Sequence, residues 1–232
     1  PNKRIARAES GATWRDFDHE TVAFGLATNG GMIPTTGIAG LTLGGGIGQL
    51  MRKYGLSCDN LLSVDIVTAD GKLVTASKSE NKELFWGLRG GGGNFGIVTS
   101  LKYQLHPVDK ILAGMIVYPI DQAKEVFKFY RDFAHKALDE LTTLFVLTTT
   151  PEGEKAAVVI PFYNGSVEEG EKVLQELRTF GTPLEDTITT MKYTEAQSFL
   201  EPVAPWGMNN YWKSSFMEKI EEEAMDMMIE HY

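Results

Sequence analysis

Apolar and polar residues alternate on both sides of Asp70-Gly71 in SVDIVTADGKLVTAS (63–77). Alternation with period two puts every other side chain on one face of a strand. An Asp-Gly pair between two such runs supplies the positive φ values of a type I′ turn, so the stretch predicts a β-hairpin. A short helix is predicted over ENKELFWGL (80–88), ended by the glycines at 90–93, then a strand over 97–107 closed by Pro107.

Ahead of the hairpin the periodicity vanishes. Residues 25–48, GLATNGGMIPTTGIAGLTLGGGIG, are too rich in Gly, Pro and Thr for a regular element. Ile33, Ile38, Leu41, Leu43 and Ile47 make the stretch an ordered loop, because flexible linkers lack such residues. GIGQLMRKY (46–54) predicts a short helix stopped by Gly55 at the usual C-terminal position.

The second half is more regular. Strands are predicted over 111–119, 143–150, 156–163 and 187–193. A helix over 121–138, capped by Asp121, carries Val126, Phe127, Tyr130, Phe133, Ala134 and Ala137 on one face. A second helix starts from a Ser166/Glu169 capping box and carries Val173, Leu174, Leu177 and Phe180. These elements spell βαββαβ, the split ferredoxin-like arrangement. Thr194 and Gln197 suggest a further capping box, NYWKSSFM (210–217) a strand, and the acidic C-terminal stretch a helix. The fold class expected is α+β, with a loop-rich domain at 1–106 and an antiparallel α+β domain at 107–232.

The chain has 232 residues, enough to bury a core without disulfides or a structural metal. Its net charge of −9 argues against binding to nucleic acid backbones. No apolar run approaches the roughly 20 residues that span a bilayer, and no signal-peptide core is visible, so a soluble, cytoplasmic protein without membrane partners is expected. The single cysteine, Cys58, excludes an internal disulfide framework, and the four histidines show no paired spacing, so no metal site is expected. The 24 glycines lie mostly before residue 100, and the chain opens on Pro1.

Gly91-Gly92-Gly93-Asn94-Phe95-Gly96 matches G-x-G-x-x-G, but a dinucleotide fingerprint follows a strand and opens a helix. Here the predicted order is reversed, which also ranks a nucleotide-binding transferase last. More telling is Pro34-Thr35-Thr36-Gly37, Gly40, Gly44-Gly45-Gly46 and Gly48. Glycines let backbone approach a ligand closely, consecutive N–H groups make anion-binding concavities, and Thr hydroxyls add neutral hydrogen bonds. The helix predicted from residue 46 would aim its N-terminus at the same place. A flat or polyhydroxylated ligand laid along bare backbone accounts for the pattern, and close packing of loop on sheet is the alternative.

NGGMIPTTGIAGLTLGGGIGQLMRKYGLSCDNLLSVDIVTADGKLVTAS and ENKELFWGLRGGGGNFGIVTSLKYQLHPV resemble the FAD-linked oxidases of the vanillyl-alcohol oxidase/p-cresol methylhydroxylase (PCMH-type) group, nearest its berberine-bridge-enzyme-like branch. The likeness runs from residue 1 to about 108 and is looser to about 217. It implies an FAD-dependent oxidoreductase moving hydride from a small organic substrate, an alcohol, sugar or amine, to flavin N5, with oxygen or another molecule as electron acceptor. It implies FAD held by the PCMH-type second subdomain and facing the sheet of a partial substrate domain. Pro34, Thr35, Thr36, Gly37, Gly40, Thr42, Gly44, Gly45 and Gly46 would line the cofactor, with Gly96 and Val98 contacting it through backbone groups. Asp59 and Asn60 of SCDNL would pin the loop.

Family members with doubly attached flavin place a Cys where this chain has Ile33, so no cysteinyl link can form there, and Cys58 is no substitute. The family's N-terminal subdomain, with its attachment histidine, and its C-terminal stretch are expected outside this chain, which resembles the middle half of an oxidase. Weak FAD binding by the isolated chain and association between copies are therefore expected. The alternative is a non-catalytic fragment or binding module that holds no flavin. No catalytic residue is assigned. Tyr211 and Lys213, alternating on the predicted strand, are substrate-side candidates beside the plainer reading of a half-buried sheet with a solvated Lys. Trp206 is read either as a substrate-side aromatic or as core.

Overall fold

The computed structural model describes residues 2–150, 152–203, 207, 209 and 211–232. The chain divides into two compact units, 1–110 with 192–204, and 111–191 with 205–232. Along the first run β1 (Ile5–Glu9), α1 (Trp14–Val22), β2 (Leu26–Ala27), α2 (Ile38–Leu43), α3 (Met51–Tyr54), β3 (Leu61–Val67), β4 (Leu73–Ser77), α4 (Lys82–Gly87), β5 (Ile97–Gln104) and β6 (His106–Pro107). Four of them form an antiparallel sheet in the order β1-β5-β3-β4. Its core-facing side chains, among them Val64, Ile66, Leu101 and Tyr103, pack with Ile38 and the α1 residues Trp14 and Phe17. Trp14, Phe17 and Tyr103 meet edge to face, with ring centroids 5.4–5.7 Å apart.

The predicted hairpin is β3–β4, paired from Ser63↔Ser77 to Val67↔Leu73. Its turn is longer than a two-residue loop, running from Thr68 N to Lys72 O (3.0 Å). Only Gly71 takes a positive φ, of 77°. Asp70 instead accepts from the Thr68 hydroxyl and pairs with Lys72, contacts that hold it out of a type I′ conformation.

Two expectations for 25–54 are corrected. The stretch 25–48 is not wholly irregular, since burial of Ile38, Thr42 and Leu43 on one side folds α2 within it. The helix predicted over 46–54 shrinks to α3. Gly45 and Gly46 take φ values of 112° and 87°, which no right-handed helix accommodates, so the glycine run ends before the helix begins. A four-residue helix has no N-terminal field to offer a ligand. Its stop at Gly55, φ 77°, is as predicted.

The second unit contains β7 (Lys110–Ala113), β8 (Ile116–Pro119), α5 (Ala123–Lys136), β9 (Leu141–Thr149), β10 (Lys155–Tyr163), α6 (Val167–Thr179), β11 (Glu185–Asp186) and β12 (Thr189–Lys192). After it come α7 (Tyr193–Ser198), whose residues belong to the first unit, and α8 (Glu222–His231). The strand predicted over 111–119 is split into β7 and β8 at Gly114, where a Cβ would sit 2.6 Å from the Ile188 backbone. Both halves pair antiparallel with β10, which pairs with β9 along its whole length. β11 and β12 lie outside β8 and β7. The lane order 4-1-3-2 is the ferredoxin-like arrangement predicted from βαββαβ. Val126 and Phe133 of α5 and Leu174 and Leu177 of α6 pack on the sheet residues Ile116, Tyr118, Ala157 and Val159.

The caps differ from prediction. Asp121 lies in a 3-10 turn and Gln122 holds the α5 cap. Ser166 accepts from Glu169 N at 3.3 Å, half of the predicted box. Lys192 and Glu195, not Thr194 and Gln197, start α7. Residues 211–217, expected as a strand, are irregular and unpaired.

Candidate functional site

The stretch 34–38 is fastened to the start of α1. Amides in the first turn of a helix have no partner within it. Here Trp14 N donates to Thr36 O (3.1 Å) and Arg15 N to Pro34 O (2.8 Å), while Ile38 N donates to Ala12 O (3.0 Å). Thr13 caps the same helix by accepting from Asp16 N, and Asp16 accepts in return from Thr13 N. The loop carbonyls are thus fixed by backbone alone.

Gly37 caps α2, Gly40 lies within it and Gly44 follows it, spacings of three and four that share a helix face. A Cβ on Gly37 or Gly40 would meet nothing within 4 Å, and on Gly44 only carbonyl oxygens at 3.6 Å. This face of α2 is exposed backbone without side chains. At its end, Leu43 O accepts from Gly90 N (3.0 Å) and Gly92 N (2.8 Å), which joins the second glycine run to the first.

Gly46, Gly48 and Gly96 instead serve packing. A Cβ at Gly46 would overlap the Ser57 side chain, at Gly48 the Gly30 carbonyl, and at Gly96 (φ 140°) the Val67 carbonyl. Thr35, Thr36, Gly37, Gly40 and Gly44 are therefore accessible, whereas Pro34, Thr42, Gly45, Gly46 and Val98 are buried and Gly96 is half-buried. The Thr42 hydroxyl is engaged with Tyr103 OH at 2.7 Å, so only its backbone faces the other way.

Asp59 and Asn60 pin the neighbouring loop, as the resemblance implied. Leu56 N donates to Asp59 Oδ2, and Asn60 Nδ2 donates to Tyr54 O and Leu56 O, each at 2.9 Å. Asn60 Oδ1 also bonds His106 Nε2 (2.7 Å), whose ring stacks on Tyr54 at 3.9 Å. Burial, and then the Arg4 charge, holds the His106 pKa below its ordinary value. Cys58 is buried, and burial followed by the Asp59 charge pushes its thiol up, so it is no thiolate.

Sequence reasoning missed Asn29. It donates from Nδ2 to Gly46 O (3.2 Å) and accepts from Leu50 N (3.1 Å), while its carbonyl accepts from Ser57 Oγ (2.7 Å). Asn29 thereby ties its own segment to residues 46–50 through its side chain and to Ser57 through its backbone carbonyl. The only signal was an Asn opening Asn29-Gly30-Gly31, one residue beyond the apolar pair Leu26-Ala27. Arg89, half-buried over the Phe85 ring at 5.1 Å, is a second omission, a cation beside Gly90.

Tyr211 and Lys213 do not share a strand face. Both lie in the irregular stretch, where Lys213 Nζ is 5.6 Å from the Tyr211 ring centre and Tyr211 is 83% exposed. Trp206 lies outside the described residues. Among the described residues no cluster of His, Cys, Asp and Glu is suited to a metal ion, and no helix is long and apolar enough to cross a membrane.

The family described as FAD binding domain matches residues 1–77. An FAD-linked oxidoreductase of Dictyostelium discoideum is 34% identical over 225 residues, 97% of this chain and 49% of that protein. Among solved structures, 6-hydroxy-D-nicotine oxidase from Arthrobacter nicotinovorans superposes with a TM-score of 0.82 at 31% identity, covering 90% of this chain and 46% of that one. A berberine-bridge-enzyme-like protein of Arabidopsis thaliana gives a TM-score of 0.76 at 27% identity over 90% of this chain and 43% of that one. The chain spans about half the length of the curated relatives it matches.

Proposed function

This chain belongs to the FAD-linked oxidoreductases of PCMH type, berberine-bridge-enzyme-like, and on that premise we propose that its protein oxidises a small alcohol, sugar or amine, with oxygen or another molecule as the electron acceptor. FAD is the cofactor, and its flavin supplies the hydride-accepting N5 when bound. The observation that carries this reading is the side-chain-free face of α2, joined through Leu43 O to the second glycine run. An extended cofactor with a flat ring and a diphosphate fits such a surface, because bare backbone admits close approach and offers N–H groups to anions.

In this proposal Thr35, Thr36, Gly37, Gly40 and Gly44 touch the cofactor, while Pro34, Thr42, Gly45 and Gly46 hold that surface in shape from behind. Gly96 and Val98 contribute backbone only. Ile33 offers no thiol, so no cysteinyl bond forms at that position. Residues 1–106 form the cofactor side and 107–232 the substrate side, apart from 192–204, which belong to the first unit. The base that takes the substrate proton is assigned to no residue of this chain.

The isolated 232-residue chain is proposed to bind FAD weakly and to self-associate through exposed Leu73, Trp86 and Ile97. The test is flavin absorbance of the full-length gene product, followed by anaerobic bleaching with candidate alcohols, sugars and amines. A flavin-free full-length product would replace the proposal with a non-catalytic binding module of the same fold. Stoichiometric flavin on the isolated chain would overturn the weak-binding part alone.

A further inference from the structure

Residues 192–204 pack into the first unit, although the chain reaches them only after the strands and helices of the second. α7 is held there by backbone carbonyls and buried side chains. Gln197 Nε2 donates to Gly31 O (2.8 Å), Gln49 Nε2 to Ala196 O (2.8 Å) and Tyr193 OH to Thr28 O (3.4 Å). An ion pair between Arg15 and Glu201 closes the rim. Under this strap lies Asp18 of α1, 1% exposed, facing the Gln197 amide and the Tyr193 phenol.

Among the described residues Asp18 has no cation to pair with. Arg15, one turn earlier, is exposed and engaged with Glu201, and His19 points outward to Glu20. α7 presents Tyr193, whose phenol burial pushes far up, and β5 presents Tyr103, already bonded to Thr42. Among the described residues, neither Asp18 carboxylate oxygen has a hydrogen-bond partner, and the amide oxygens of Gln49 and Gln197 have none either. The indole Nε1 of Trp14, one turn before Asp18, is likewise unpartnered. An ionised carboxylate buried without a cation is strongly disfavoured, and the neutral acid is not. Protonation also turns an acceptor-only group into a donor among these amide oxygens.

We propose that Asp18 is a neutral carboxylic acid in the folded protein and forms with Gln197 a pH-sensitive lock that keeps α7 on α1. The direction of the titration agrees, since burial raises the Asp18 pKa and the Gln197 contact opposes it more weakly. A carboxyl whose folded pKa exceeds its unfolded value stabilises most below the unfolded value, and that contribution is lost as pH rises through the folded pKa. Alkaline conditions would free the strap and, with it, the Gly31 carbonyl ahead of the 34–46 loop. The lock needs no flavin and stands whether or not the cofactor reading holds.

The test compares the wild-type protein with Asp18→Asn and Asp18→Ala by thermal unfolding from about pH 4 to about pH 9, with infrared spectra at neutral pH. Asparagine keeps a donor and cannot ionise. Expected are a wild-type melting temperature that falls with pH relative to Asp18→Asn, Asp18→Asn at or above wild type near the alkaline end, and Asp18→Ala below both near the acid end. A protonated-carboxyl carbonyl band should appear in wild type at neutral pH and vanish in Asp18→Asn. Absence of that band, or an Asp18→Asn protein that is equally destabilised or unfolded at every pH, overturns the proposal.

Discussion

The Thr42 hydroxyl and the Tyr103 phenol share a 2.7 Å hydrogen bond with both residues fully buried. That bond fixes α2, whose opposite face is the bare glycine surface, to the central strand β5. Tyr103→Phe keeps the ring packing against Trp14 and Phe17 but strands the Thr42 hydroxyl. A buried hydroxyl left unsatisfied costs about 1–3 kcal/mol. Urea unfolding should show that loss with an unchanged slope, and Tyr103→Phe/Thr42→Val should recover part of it.

Two glycines separate ligand approach from packing. Gly40→Ala adds a methyl that meets nothing in the protein, and a helix gains about 0.5–1 kcal/mol from such a change. Its melting temperature should hold or rise while flavin affinity falls. Gly48→Ala drives a methyl into the Gly30 carbonyl, so expression and melting temperature should collapse together. If Gly40→Ala leaves flavin affinity unchanged, the α2 face is not the cofactor surface.

Asn29→Ala removes two loop-tying hydrogen bonds in a fully buried setting. At roughly 1 kcal/mol for each bond, plus the stranded Gly46 and Leu50 groups, a loss of about 2–4 kcal/mol is expected. Amide exchange should accelerate in 46–58 well before the β3–β4 hairpin exchanges. Asn29→Asp keeps the acceptor for Leu50 N but sets a buried carboxylate against Gly46 O, so at neutral pH it should be no more stable than Asn29→Ala and should gain on acidification.

His106 carries a second pH dependence of opposite sense to Asp18. Its folded pKa lies below the ordinary histidine value, because burial and Arg4 disfavour the cation. The unfolded chain therefore binds the proton more readily, and stability is full above about pH 6.5 and falls as pH drops through the folded pKa. Melting curves across that window should show the loss in wild type. His106→Phe keeps the stack on Tyr54 and should flatten the profile while lowering stability at neutral pH through loss of the Asn60 contact.

Elements whose signal is local were legible from residue order. The β3–β4 hairpin, α4, the two βα halves of the ferredoxin-like unit and the stop at Gly55 all rest on periodicity or on a turn residue within a few positions. The glycine surface was legible as composition, but its division was not. Gly37 and Gly40 are open while Gly48 and Gly96 are jammed against distant carbonyls, a distinction set by contacts with other segments. The predicted strand 210–217 failed for a related reason. β-propensity needs a paired and half-buried surface to act on, and residues 211–217 have no pairing neighbour among the described residues.

The sequence by itself determined an α+β chain with its glycines gathered in the first half, because both features are written in residue type and spacing. Tertiary structure alone decided which glycines are open and which are jammed against distant carbonyls, that Asn29 ties the loops, and that α7 returns across α1 to bury Asp18. Each of these depends on groups far apart in the chain meeting in a low-dielectric interior, where a missing partner costs more than any local preference can supply.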